Sequence, residues 1–268
     1  MRLELSGPLE ADTGVIVPTA DQESSRCQEC LAALRQSSCD VRVCVVESSG
    51  PEFRFSKSIN AGLAALEERA HYVLLNDDCF VQKGSIDQLV KRAAGSSKIG
   101  IVGAKLLYPD GTIQHAGGFI LRRGPWLTIR HGIGTGRPLH AFQDLFREEN
   151  YGCFHFYRDP DREDVAFVTA AFCLLSGPLV RAIGGFDEGY VSSFEDVDYC
   201  LRAQEAGFRV VYEPQATATH LEGASLKHQP WSRKASFEGE MYFRAKWKEK
   251  IPRYVRAEDV RDVGWRLR

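Results

Sequence analysis

At 268 residues, the chain has room for one large α/β domain or two small ones. Its 44% hydrophobic and 26% charged residues suit an ordinary soluble enzyme, and a formal net charge of −2 excludes a global attraction to nucleic acid. No apolar run reaches the ~20 residues of a membrane span, and "MRLELSGPLE" reads as neither a signal nor a transit peptide, so any membrane contact is expected to be peripheral.

In chain order, "GVIVPT" (Gly14 to Thr19) is a short β-branched run stopped by Pro18 and reads as a buried strand. Ser25, with Gln28 three residues on, predicts a capping-box start for a helix through Arg35. "VRVCVVESSG" is a second strand ending in a small polar loop. "FSKSINAGLAALEERA" carries Ile59, Leu63 and Leu66 at helical spacing, and "HYVLLNDD" is a third strand. This alternation predicts a parallel sheet with crossover helices. Ligands of such sheets bind outside the carboxyl ends of the strands. That edge gathers Thr19, Glu47 to Gly50, and Asn76 to Asp78.

A helix opened by Ser85 follows, then a strand "KIGIVGAKLLY", a "PDGT" turn and a hairpin partner "IQHAGGFIL". From Arg122 to Asp164 the periodicity weakens among Arg, His, Gly and aromatic residues. A run of this kind reads as a functional loop or as a charged surface loop. "VAFVTAAFCLLSG" restores order, Pro178 starts a short helix ended by Gly184 and Gly185, and "FEDVDYCLRAQEAG" enters another helix. Two strands, "FRVVYEP" and "ATATH", precede a helical tail. From Lys227 to Arg268 the tail holds twelve Lys/Arg against six Asp/Glu. Its Trp231, Tyr242, Phe243 and Trp247 interleave with cations, which suits either a membrane-surface or partner-docking helix or a helix packing its aromatics on the core.

Eight scattered cysteines read as reduced core residues. Cys27-x-x-Cys30 has metal-like or redox-like spacing but no second pair, and a helix with Cys30, Leu31 and Leu34 inward accounts for it.

Three groups carry chemistry. Asp77 and Asp78 at a strand end are either solvated turn residues or oxygen ligands of a hard cation, and their place at the ligand-binding edge favours the second. "FEDVDYCLR" puts three carboxylates at a helix start, where the macrodipole favours anions. Glu195 or Asp196 is a cap or a general base there, and Asp198 stands one turn before Arg202 as an ion-pair partner. His220 is a ligand only where the fold brings it to Asp78.

Taken in order, "VIVPT", "VVESSG", "FSKSINAGL", "LLNDD", "PDGTIQHAGG", "LLSGPLVRAIGGFDEGY" and "FEDVDYCLR" resemble family 2 glycosyltransferases, over roughly Gly14 to Ser225, with bacterial rhamnosyltransferase-like members among the similar ones. The resemblance implies an α/β GT-A fold, a single Rossmann-like domain with a mostly parallel central sheet flanked by helices, a small antiparallel hairpin and a helical C-terminal tail. Residues 12–110 would form the nucleotide-sugar half, 111–225 the acceptor and catalytic half, and 226–268 the basic tail.

It implies an inverting transfer from a UDP-, dTDP- or GDP-linked sugar to a saccharide, lipid-linked or other hydroxyl acceptor in polysaccharide or glycoconjugate biosynthesis, assisted by Mg2+ or Mn2+. Asp78 would bind the metal with His220. Pro18, Thr19, Glu47, Ser49, Lys57, Asn60, Asn76 and Asp77 would surround the donor. Asp196 would be the general base with Glu195 orienting it, and His115, Arg130, His131 and Phe194 would meet the acceptor. Glu47 and Asn76 depart from the family's usual aspartates. A cytoplasmic enzyme, at the inner membrane face through its basic tail and able to form a homodimer, completes the expectation. The rivals are a sugar nucleotidyltransferase, whose Gly-rich phosphate loop "VPTADQESS" lacks, and a non-catalytic sugar- or nucleotide-binding protein.

Overall fold

Alternation of inward-facing aliphatic residues along the first strands sets up two cores, one on each face of a central sheet. A computed structural model describes residues 1–36, 40–50, 53–120, 138–140, 145–147, 164–221 and 232–254. The first elements are β1 (Arg2–Ser6), β2 (Thr13–Thr19), α1 (Ser25–Leu34), β3 (Val41–Glu47), α2 (Phe55–Leu66) and β4 (His71–Leu75). β2 is buried at every position, as expected of a strand covered on both faces. It pairs in parallel with β3 and β4, Val15 standing opposite Val43 and Val73. Ile16 packs with Ile59, Leu63 and Leu66 of α2. Its neighbours Val15 and Val17 face the opposite cluster with Cys30 and Leu34 of α1, the period of two that a pleated strand imposes.

The N-cap of α1 is Ser24, one residue before the expected start. Its Oγ accepts from the Cys27 amide at 3.3 Å. Cys27 therefore occupies the third helical position and offers no carboxylate or amide to close a capping box. Gln28 instead donates to the Gln22 carbonyl at 2.7 Å.

The chain continues through β5 (Cys79–Val81), α3 (Ser85–Ala94), β6 (Ile99–Leu107), β7 (Thr112–His115), β8 (Gly118–Ile120), β9 (Pro138–His140) and β10 (Leu145–Arg147). It ends with β11 (Phe172–Ser176), α4 (Gly177–Ile183), α5 (Glu195–Glu205), β12 (Arg209–His220), α6 (Ser232–Trp247) and a 3-10 turn at Ile251–Tyr254. Eight strands lie in the order β1-β3-β2-β4-β11-β6-β12-β5, and β7 and β10 extend the sheet from β6. The βαβαβ run forms the expected parallel block. Beyond it the sheet is mixed, because β11 inserts antiparallel between β4 and β6. The hairpin after "PDGT" forms with Gly111 at φ 83°, where a side chain would be strained. β8 leaves it to pair with β9.

The two strands expected after Gly207 are one long strand. β12 runs parallel to β6 with a register shift between Glu213 and Thr217, a stretch that includes Pro214, which has no amide for the ladder. Its last residues pair antiparallel with β5, so that His220 stands opposite Cys79. Six cysteines of the described residues are buried thiols, and both Cys27 and Cys30 point inward from α1. Of the tail aromatics, Phe243 and Trp247 are buried, Tyr242 is exposed, and Trp231 lies outside the described residues.

Gly62 of α2 touches Ile16 so closely that a Cβ there would stand 2.5 Å from the Ile16 Cγ2. Truncation at Ile16→Ala opens a void that this tight contact cannot fill, and is expected to cost about 2–5 kcal/mol. In urea unfolding this lowers the midpoint with the slope unchanged.

Candidate active site

The carboxyl ends of β2, β3 and β4 open on a cavity of about 370 Å³. Its lining includes Pro18, Thr19, Ser49, Asn76, Asp77 and Asp78 from these strand ends, Glu195 and Asp196 from α5, and His220 from β12. Nine of the expected site residues therefore share one space, although they are spread from β2 to β12.

Asp77 and Asp78 are both buried, 5% and 4% exposed, so the solvated-turn reading fails. Asp77 Oδ2 accepts from the Thr19 hydroxyl at 2.7 Å and from Arg26 at 3.0 Å. Arg26 is a residue that sequence reasoning missed. It lies in the first turn of α1, directly after the strand end, where a cation can reach back across the sheet edge. Asp78 turns the other way, and its Oδ1 lies 3.0 Å from His220 Nε2. The turn that holds it is pinned by the Leu221 amide, which donates to the Asp78 carbonyl at 3.1 Å.

His220 is oriented from behind by Gln114. The Gln114 amide donates to the His220 carbonyl at 3.2 Å, and its Oε1 lies 2.5 Å from His220 Nδ1. An amide oxygen only accepts, so Nδ1 carries the proton and, in the neutral ring, Nε2 carries the lone pair. That lone pair meets a carboxylate oxygen in a buried place where Nε2 has no hydrogen-bond partner. At 3.0 Å the two atoms can share a proton or hold one cation lying to the side of both, and a histidine fixed through its other nitrogen is the usual arrangement of a metal ligand. No cluster of three or more His, Cys, Asp or Glu side chains suited to a metal occurs among the described residues. Asp78 and His220 would thus leave further coordination positions to a ligand's own oxygens and water, as hard divalent cations tolerate.

On the α5 side, Asp196 Oδ1 accepts from the Val197 amide at 2.8 Å and Oδ2 from the Ala170 amide at 3.3 Å. The turn that carries Ala170, just before β11, is itself tied to the end of β4, since the Asn76 amide donates to the Ala171 carbonyl at 2.9 Å. Glu195 is half-buried, and its Oε2 is fully covered without a hydrogen-bond partner. Desolvation and the adjacent Asp196 charge push its carboxyl up to about 8. Asp198, third in the same motif, lies outside the cavity. It is fully buried and accepts from Tyr190, Trp247, Lys246 and Arg202.

Other expected residues fall outside the lining. Glu47 accepts from the Gln22 amide at 3.4 Å, and Lys57 is exposed on α2. Asn60 joins α2 to the Gly185–Glu188 turn: its Nδ2 donates to the Phe186 carbonyl and to Glu188, both at 2.9 Å, and its Oδ1 accepts from the Phe186 amide at 2.7 Å. His115 is buried one layer behind the cavity, accepting from the Thr169 amide at 3.3 Å. Phe194 stacks on Phe243 of the tail at 5.4 Å. Arg130, His131 and the rest of the Arg122–Asp164 loop before Asp164 lie outside the described residues, apart from the backbone of β9 and β10. Gln114 was within reach of the sequence, inside the quoted "PDGTIQHAGG". Phe53, Phe55 and Ser192 also line the cavity and carried no signal beyond their neighbourhood.

The model of the family described as glycosyltransferase like family 2 matches residues 10–232. The chain belongs to glycosyltransferase family 2. Among curated relatives it is 35% identical to uncharacterized protein y4gI of Sinorhizobium fredii over 78% of this chain and 22% of that protein. It is 26% identical to the N-acetylglucosaminyl-diphospho-decaprenol L-rhamnosyltransferase of Mycobacterium tuberculosis over 72% of this chain and 64% of that enzyme. The chain thus spans less than two thirds of these relatives' length. A crystal structure of GalNAc-T7 with UDP, GalNAc and Mn2+ superimposes over 90% of this chain and 49% of its own, with a TM-score of 0.64 at 10% identity. The family 2 chain therefore has the expected α/β GT-A fold.

Two expectations separate roles within the site. Asn60→Ala removes hydrogen bonds between α2 and the Phe186 turn and is expected to cost roughly 1–3 kcal/mol in urea unfolding, with nucleotide affinity by calorimetry unchanged. Glu195 has a folded pKa of about 8 against an ordinary 4.5, so its contribution to stability is full below about pH 4.5 and is lost as pH rises towards about 8. Glu195→Gln should therefore raise the melting temperature relative to the parent by about 2 °C or more near pH 8.5, and by less near pH 4.5.

Proposed function

We propose that the chain is an inverting glycosyltransferase that moves a sugar from a nucleoside-diphosphate sugar to an acceptor hydroxyl, with Asp196 as general base. The observation that carries this reading is the single cavity in which the Asp78–His220 pair and the Asp196 carboxylate meet below the ends of the parallel strands. The family assignment supports the reaction class. The UDP and Mn2+ of the GalNAc-T7 complex support the donor and metal classes.

A bound Mg2+ or Mn2+ would supply charge stabilisation to the leaving diphosphate, and Asp78 and His220 are the residues that would hold it. Asp77, fixed by Thr19 and Arg26, faces the donor's ribose or sugar. The backbone amides of Ala170 and Val197 orient the Asp196 carboxylate at the cavity, where it would take a proton. The acceptor hydroxyl gives that proton to Asp196 as its oxygen forms a bond to the anomeric carbon. The bond from that carbon to the diphosphate oxygen breaks, the nucleoside diphosphate departs, and attack from the opposite face inverts the configuration. Glu195, protonated through much of the neutral range, confines ionisation at this end of the cavity to Asp196.

The acceptor class rests on the name of the mycobacterial relative, and a lipid-linked saccharide is the reading it supports. A peripheral position at the cytoplasmic membrane face accords with this, and α6 exposes Phe237 and Met241 as apolar contacts for it.

The test is release of nucleoside diphosphate from a panel of UDP-, dTDP- and GDP-sugars with Mn2+ and saccharide acceptors. Asp196→Asn should lower transfer by about a thousandfold or more, as loss of a positioned base commonly does, with nucleotide binding within about threefold of the parent. No turnover or binding across the panel would overturn the reading, and pyrophosphate exchange would replace it with a nucleotidyltransferase.

A further inference from the structure

We infer that the tail helix α6 is a positioning element of the active site, holding the strained turn that sets Glu195 and Asp196 at the cavity; this rests on the transferase reading above. Ser193 and Phe194, immediately before the carboxylates, have φ of 68° and 69°. They are two of three non-glycine residues with positive φ among the described residues. A serine and a phenylalanine in this region are strained and persist only where the surroundings over-determine them.

Those surroundings are α6. The Phe243 ring stacks on Phe194, and Ser236 Oγ lies 3.1 Å from Ser193 Oγ. The carbonyls of Ser192 and Ser193 press against α6 at Gly239. A Cβ there would overlap the Ser192 oxygen and stand 2.7 Å from that of Ser193. Only glycine lets the helix approach the turn this closely.

The far end of α6 is locked by buried charge. Trp247 Nε1 and Lys246 Nζ each reach Asp198 Oδ1 at 2.8 Å, and Arg202 Nε donates to Oδ2 at 2.9 Å. Tyr190, before the turn, donates to the same Oδ1 at 3.1 Å. Lys246 also pairs with Asp187 at 2.6 Å, and Tyr242 donates to Asp187 at 3.2 Å. The segment from Asp187 to Asp198 is therefore gripped at both ends and in the middle by one helix. Asp198 is a positioning residue here, with no lone pair directed into the cavity.

Amide hydrogen exchange of the full chain separates this role from general stabilisation. In Gly239→Ala and in Trp247→Phe, which keeps the ring bulk and removes the hydrogen bond to Asp198, amides from Val191 to Val197 should exchange at least about tenfold faster while β4 stays unchanged. In the transfer assay kcat should fall about tenfold or more with the donor KM within about threefold. Trp247→Phe provides the answer if Gly239→Ala does not fold. Unchanged exchange in the turn, or acceleration spread evenly over the chain, overturns the inference. A parent chain inactive across the whole donor panel would sink the transferase reading alone, because the exchange result stands without turnover.

Discussion

The contact between Asp78 and His220 is the constraint around which the site is built. It joins a turn after the third strand of the parallel block to the last residue of the last strand, and it exists because β5 and β12 pair antiparallel with His220 opposite Cys79. β12 can reach that place only because it runs on past the irregularity at Glu213–Thr217 instead of ending there. Gln114, from the hairpin beside β6, then fixes the imidazole through Nδ1. A carboxylate facing an imidazole lone pair in a buried setting is unfavourable without a positive charge. The fold thus buries a polar pair whose positive charge is either a proton on the imidazole or a cation held by both side chains.

Three carboxylates within four residues of α5 show how environment divides roles. Asp198 is saturated by four donors and belongs to packing. Glu195 has a covered oxygen without a partner and a carboxyl pushed upward, so it holds its proton. Asp196 keeps two backbone donors and a face on the cavity. The helix periodicity directs Asp198 towards Arg202 and the tail, and the two residues at the helix start towards the strand ends. The same chemical group in neighbouring positions is thereby given three different environments and three different uses.

The parallel block was readable because β-branched runs and helical spacing alternate with little ambiguity from Gly14 to Asp78. The carboxylate motifs could be placed at the site because strand ends converge by topology. The insertion of β11 was not readable. Its apolar run carries no mark of direction, and nothing in it tells that it pairs antiparallel with both β4 and β6. Asn60 was misplaced for a related reason. An Asn in mid-helix has both amide groups free in sequence, and only the fold shows Phe186 and Glu188 taking them. Arg26 and Gln114 escaped notice because each acts through a partner remote in the chain. The tail's aromatics divide as the buried alternative expects for Phe243 and Trp247, and α6 approaches the turn through a glycine that carried no signal of its own.

The central claim is that Asp78 and His220 form half of a cation site finished by the donor's diphosphate. Binding of Mn2+ to the full chain, followed by electron paramagnetic resonance with and without UDP, dTDP or GDP, tests it most directly. One of these nucleotides should tighten Mn2+ binding by about tenfold or more, and the tightening should vanish in His220→Ala. Equal Mn2+ affinity with and without every nucleotide, or full tightening in His220→Ala, would contradict the account.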